Sequence, residues 1–275
     1  WMNWSGSARA DHADVRFVRG VDDVCAIVAS AAESGRHVRA AGSGHSHFPL
    51  VPIEDVIVDL SGLSGVLDVD HDAMTATVWG GSMIATLGRQ LPDADVALAT
   101  QGDIDRQTIA GAIATGTHGT GRSLTNRSAD VAGLTNVDHR GALVRCSPVE
   151  QHDLFAAARL GLGAFGIVVQ VEMAVVPAYR LAERSWRSGY DDLRPEIEAL
   201  TDRHRHAEFY WYPHRDIAFV KTIDRTDAPA EYPLGEEGHR VAWSYEVLPS
   251  HRDRLHTETE FAVPLDRSLA CLDEI

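Results

Sequence analysis

Two glycine-dense loops, each built around a histidine, constrain this chain more tightly than any other feature. The first reads Gly42-Ser43-Gly44-His45-Ser46-His47 and the second Thr115-Gly116-Thr117-His118-Gly119-Thr120-Gly121. Glycine reaches backbone angles closed to other residues and lets a second group come close to the main chain. Successive N–H groups in such turns form concavities that suit an anion. Either loop alone reads as an ordinary tight turn with an incidental histidine. Two of them in one chain point to a phosphate-bearing ligand.

The segments between the loops alternate helix and strand signals, with no internal repeat. Residues 22–34 read as a helix, because Val24, Ile27, Val28 and Ala31 share one face and Gly35 stands where a C-terminal cap belongs. Strands are expected at 37–41 and 55–60. Hairpins are expected over 66–79, turning at 71–74, and over 130–146, turning at 139–141. A capped helix is expected at 82–91 and a short one at 153–160, followed by a long strand over 166–176. The most apolar stretch, 160–177, is broken by Gln170 and Glu172. It falls short of the roughly 20 apolar residues a membrane span needs, so it reads as a buried strand. After Pro177 glycine thins out and aromatics gather (Trp186, Phe209, Tyr210, Trp211, Tyr212), which sets a domain boundary near residue 180. Residues 226–238 read as a loop.

Of the 275 residues, 44% are hydrophobic and 24% charged, the balance of a soluble globular protein with a sizeable core. Forty acidic against 25 basic side chains leave a net charge of −15, which excludes nucleic acid and anionic membranes as natural partners. Cys25, Cys146 and Cys271 are too few and too scattered for a disulfide framework or a metal knuckle, which fits a reducing, cytoplasmic compartment. The N-terminus has neither the basic start nor the apolar core of a secretory signal.

Two local motifs fail their context, and a third is absent. Gly161-Leu162-Gly163-Ala164-Phe165-Gly166 spells a dinucleotide fingerprint, but the expected helix precedes it and the expected strand follows it, the reverse of what that fingerprint requires. His45, His47 and His118 could ligate zinc, yet no third-ligand spacing supports a metal and the surrounding glycines would be unexplained. No G-x-S-x-G elbow of a serine hydrolase is present. The run 101–114 differs: Asp103, Asp105 and Gln107 precede an apolar Ile-Ala-Gly-Ala-Ile segment that could hold polar groups against a ligand.

Taken in order, Asn3-Trp4-Ser5-Gly6, the 38–47 loop, Gly102-Asp103-Ile104-Asp105 with Gln107-Thr108-Ile109-Ala110-Gly111, the 115–121 loop and the 161–168 turn resemble the flavin-binding half of the sugar-1,4-lactone and alditol oxidases. These belong to the vanillyl-alcohol-oxidase-like flavoproteins. The resemblance is dense over 3–180 and weaker beyond. It implies an α+β chain with a two-subdomain FAD-binding domain over 1–180 and a partial α+β substrate (cap) domain over 181–275.

For the cofactor, the resemblance implies FAD bound covalently through His45, with Ala41, Gly42, Ser43, Gly44, Ser46 and His47 completing a loop that wraps the diphosphate. Gly102 and Asp103 would border the isoalloxazine ring as the catalytic pair, glycine leaving a path for O₂. Thr108, Gly111, Ala112 and Thr115, with Gly116, His118 and Gly119, would line the cofactor channel, and Ile167 would meet the adenine end. The implied partners are a sugar lactone or polyol and O₂ or another electron acceptor. The implied reaction passes hydride to flavin N5, turning the C2 hydroxyl of a lactone into a ketone on the way to an ascorbate-type enediol. The wording of 102–105 favours a lactone over an alditol. A Glu-x-Arg pair and a His-Trp-Gly-Lys segment typical of the family are not found in these residues. The expectation is therefore a flavin half complete by motif and a chain that turns over poorly.

Overall fold

A computed structural model describes residues 1–250 and 254–275. Packing divides them into two units: 1–119 with 125–178 and 254–257, and 120–124 with 179–250 and 258–275.

The first unit opens with β1 (Asp14–Phe17), α1 (Val21–Glu33), β2 (Val38–Ala41) and β3 (Val56–Asp59). The three strands form a parallel sheet in the order β1-β3-β2. Helix α1 buries Val24, Val28 and Ala31, which pack with Val56, Val58 and Leu60. It ends as its sequence predicts: Gly35 takes φ +68° and the Arg36 N–H returns to the Ala31 carbonyl at 2.9 Å. Such a left-handed residue satisfies carbonyls that a helix end otherwise leaves orphaned.

Next come β4 (Val66–Asp70), β5 (Thr75–Trp79), α2 (Ile84–Gln90), β6 (Val96–Ala97), α3 (Ile109–Ala114), β7 (Val131–Val137), β8 (Leu143–Cys146), α4 (His152–Ala158), β9 (Ile167–Ala174) and β10 (Val176–Pro177). Five of these strands form an antiparallel sheet ordered β4-β5-β9-β7-β8, while β6 and β10 pair separately. Strand β9 alternates buried and half-buried residues along its length, and Val171 and Met173 pack with Ile84, Leu87, Ile109 and Ile113 of α2 and α3. Two hairpins and the long strand therefore stand where the sequence predicts them. The expected cap of α2 does not. The helix starts at Ile84 with Met83 in the capping position and no side-chain cap. The Ser82 hydroxyl is buried and instead accepts from the Gly65 N–H at 2.9 Å.

The second unit contains β11 (Arg180–Ser188), α5 (Tyr190–Leu193), α6 (Ile197–Arg203), β12 (His206–Tyr212), β13 (Ile217–Thr226), β14 (Val241–Trp243), α7 (Ser244–Val247) and α8 (Ser268–Asp273). Its four strands form an antiparallel sheet ordered β12-β13-β11-β14. Leu193 and Leu200 cover one face of this sheet, against Ala218 and Val220. Among the described residues no helix is long and apolar enough to cross a membrane.

Candidate functional site

The first unit holds a cavity of about 400 Å³. Its walls come from β2 and the loop that follows it, from α3, and from the turn before β9. Parallel pairing of β2 with β3 delivers the chain directly into the first glycine loop at Gly42.

That loop is fixed from outside by the N-terminal segment. The Trp4 N–H donates to the Gly44 carbonyl at 2.8 Å, and Asn3 Nδ2 donates to the Ser46 carbonyl at 3.0 Å. The Trp4 ring stacks on the His45 imidazole at 5.3 Å and 24°. With the Gly44 and Ser46 carbonyls taken, the loop leaves the N–H groups of Ser43, Gly44, His45 and Ser46 without an acceptor among the described residues. Such a row of donors is a cradle for an anion. Two of the glycines are required. Gly44 sits at φ +69°, and a Cβ on Gly42 would lie 2.1 Å from the Thr108 hydroxyl. Burial, with His47 and Arg106 close by, pulls the His45 imidazole below the usual histidine range. It is therefore held neutral near pH 7.

The opposite wall carries Gln107, Thr108, Gly111 and Thr115. The buried Gln107 Oε1 has no hydrogen-bond partner among the described residues, an orphaned acceptor that a ligand N–H or hydroxyl would satisfy. The cradle, this acceptor and the apolar contribution of Leu50, Val51, Leu162 and Phe165 to the walls fit a cofactor with a diphosphate and flat ring systems.

Ten of the residues predicted for the cofactor line this cavity: Ala41 to Ser46, Thr108, Gly111, Thr115 and Ile167. The others lie elsewhere. Ala112 is 1% exposed in the core behind α3. His47 stands edge-on to Trp4 at 6.5 Å. Gly102, Asp103, Gly116, His118 and Gly119 belong to a neighbouring loop pair. Here a Cβ on Gly119 would lie 2.3 Å from the Gln101 carbonyl, and one on Gly102 would lie 3.0 Å from that of His118. The missing side chain of Gly102 thus serves close packing of two backbones. Arg39, Gln107, Asp138 and His139 also line the cavity, and none was singled out from the sequence as a cofactor contact. Only Gln107 had a visible signal, its place ahead of the apolar run.

The fold and the glycine-lined cavity of the first unit fit an FAD-binding domain. An FAD-binding-domain family matches residues 13–147, and a D-arabinono-1,4-lactone oxidase family matches 171–240. The L-gulono-1,4-lactone dehydrogenase of Mycobacterium tuberculosis is 35% identical over 82% of this chain and 52% of its own length. The D-arabinono-1,4-lactone oxidase of Eremothecium gossypii is 32% identical over 84% of this chain and 44% of its own. Among solved structures, cholesterol oxidase from B. sterolicum superposes with a TM-score of 0.74 at 22% identity, covering 82% of this chain and 47% of that one, a likeness of fold. The chain is similar to FAD-linked aldonolactone oxidoreductases over most of its length, and it spans about half the length of the curated relatives it matches.

Proposed function

We propose that this chain carries the flavin-holding part of an oxidoreductase acting on an aldono-1,4-lactone, with residues 1–180 binding FAD and 181–275 contributing to the substrate (cap) domain. The observation that carries this reading is the row of unpaired N–H groups over 43–46 on the wall of a 400 Å³ cavity. The lactone oxidase family match over 171–240 favours a lactone over an open-chain polyol. When bound, FAD supplies the hydride acceptor, its N5, for a carbinol C–H of the substrate. The chain's own work is to bind and orient. The 41–46 loop would donate to the diphosphate, and Gln107 Oε1 would accept from the flavin or its ribityl chain. Gly102 and Asp103, in the neighbouring loop pair, would border the reacting ring, and O₂ or another acceptor would take the electrons.

His45 is the proposed point of covalent attachment. Bond formation to the flavin 8α carbon would need an imidazole nitrogen with its lone pair available; an 8α C–H bond would break with loss of a proton, and the electron pair left on the flavin would pass to O₂ or another acceptor. The environment of His45 favours that neutral form, and the Trp4 stack holds the ring in one orientation. Acid precipitation tests the tether. The wild-type pellet is expected to stay yellow, and His45→Ala to release its flavin to the supernatant. A colourless wild-type pellet from protein that binds flavin natively would reduce His45 to a simple contact. Reduction of the bound flavin by L-gulono- or D-arabinono-1,4-lactone, compared with xylitol, tests the substrate class.

A further inference from the structure

We infer that Arg39 supplies the positive charge that holds the cofactor's diphosphate. This rests on the FAD reading above and adds a residue to it. Arg39 lies on β2, three residues before the first glycine of the loop, and its side chain lines the cavity. The guanidinium is held only by neutral groups. Nε and Nη2 donate to the Leu50 carbonyl at 3.0 and 2.6 Å, and Nη1 donates to the Leu162 carbonyl at 3.4 Å. It therefore spans from the 43–51 loop to the 161–166 turn, on two sides of the cavity.

The other titratable groups on the wall offer no free positive charge. Arg36 sits 3.3 Å from Asp14 and 3.8 Å from Asp55. The Asp138 carboxylate accepts the N–H groups of Arg140 and Ala142 at 2.8 and 2.9 Å, and these backbone bonds hold its carboxyl below the usual range. His45 is held neutral by burial. Among the described residues Arg39 makes no ion pair, so its charge on the wall is uncompensated. A cation without a carboxylate, in a chain of net charge −15, is a poor stabiliser of the empty fold and a good partner for a dianion. A planar guanidinium also matches the geometry of phosphate oxygens.

The test uses the full chain carrying His45→Ala, so that no tether masks affinity, stripped of flavin and titrated with FAD, ADP and riboflavin. Arg39→Gln keeps a donor of similar length for Leu50 but removes the charge. It is expected to weaken FAD and ADP by about 10- to 100-fold, the range for hydrogen bonds to charged groups, and to leave riboflavin within twofold. Arg39→Lys is expected to recover part of the loss. FAD and ADP affinities unchanged in Arg39→Gln would overturn the inference, as would riboflavin losing as much as FAD or Arg39→Lys doing no better than Arg39→Gln. Failure of the unsubstituted background to bind FAD at all would instead overturn the flavin reading.

Discussion

His206 shows how one residue can tie a pH dependence to the second glycine loop. It is 1% exposed at the start of β12. Its Nδ1 lies 2.9 Å from the Thr120 carbonyl, so that nitrogen carries the proton, while Nε2 is buried without a partner among the described residues. Burial, reinforced by the charge of neighbouring Arg205, pushes its pKa down from 6.5 to about 4, against smaller opposing effects of Thr120 and Asp224. Because the folded value is the depressed one, the unfolded chain binds the extra proton between these limits. The sign follows from linkage. This residue costs nothing above pH 6.5, destabilises increasingly as pH falls from 6.5 to about 4, and adds no further slope below that. At about 1.36 kcal/mol per unit, the span is about 3 kcal/mol. Urea unfolding of wild type and His206→Gln at pH 7, 5.5 and 4 reads this, because carboxylates titrate alike in both. The difference in stability between them is expected to shift by about that amount towards the variant as pH falls. Parallel pH profiles would show that His206 is not desolvated as the fold implies.

At the scale of elements, the four-stranded sheet of the second unit depends on one buried ion pair. Glu183 on β11 has a side chain 0% exposed, and Arg240, just before β14, meets it at 2.7 and 2.9 Å. The same guanidinium donates to the carbonyls of Glu246, Val247 and Pro249, closing the end of α7. Removing one partner of a buried pair strands the other's charge and typically costs about 3–5 kcal/mol. Arg240→Ala is expected to lose stability in that range by urea unfolding, and a loss below about 1 kcal/mol would mean that Glu183 finds water or is satisfied by Lys221, 3.9 Å away. Neither residue stood out in the sequence, because charged residues 57 apart give no local signal. Local signals did identify α1, both hairpins and β9, where period and turn residues agree. They misread Ser82, whose hydroxyl looks like a helix cap until the Gly65 backbone is brought beside it. The candidate site divides the same way. The 41–46 loop is visible as glycine density, whereas Arg39 and Asp138 reach the cavity only through sheet pairing and the β7–β8 turn. Gly102 and Gly119, read from the sequence as ligand contacts, stand where a Cβ would press on the carbonyls of His118 and Gln101.

For the whole molecule, the net charge of −15 sets long-range behaviour that the cavity does not share. An approaching FAD carries a diphosphate dianion, so repulsion from the chain as a whole opposes encounter, while the Arg39 charge acts only at short range. The screening length is about 30 Å at 0.01 M salt and about 10 Å at 0.1 M. The repulsive field therefore reaches well beyond the surface at low salt and is largely removed at moderate salt. A charge field of this kind acts mainly on association rate. Stopped-flow mixing of flavin-stripped protein with FAD is expected to give an association rate that rises several-fold between 10 and 150 mM salt. Neutral riboflavin and neutral lactones should show no such dependence, and dissociation of FAD should change far less than its association. An FAD association rate that falls with salt would mean that the cationic side chains near the cavity, Arg36 and Arg39, outweigh the acidic surface even at a distance. A neutral lactone meets no such barrier, whereas the anionic aldonate formed when it hydrolyses would be repelled as FAD is.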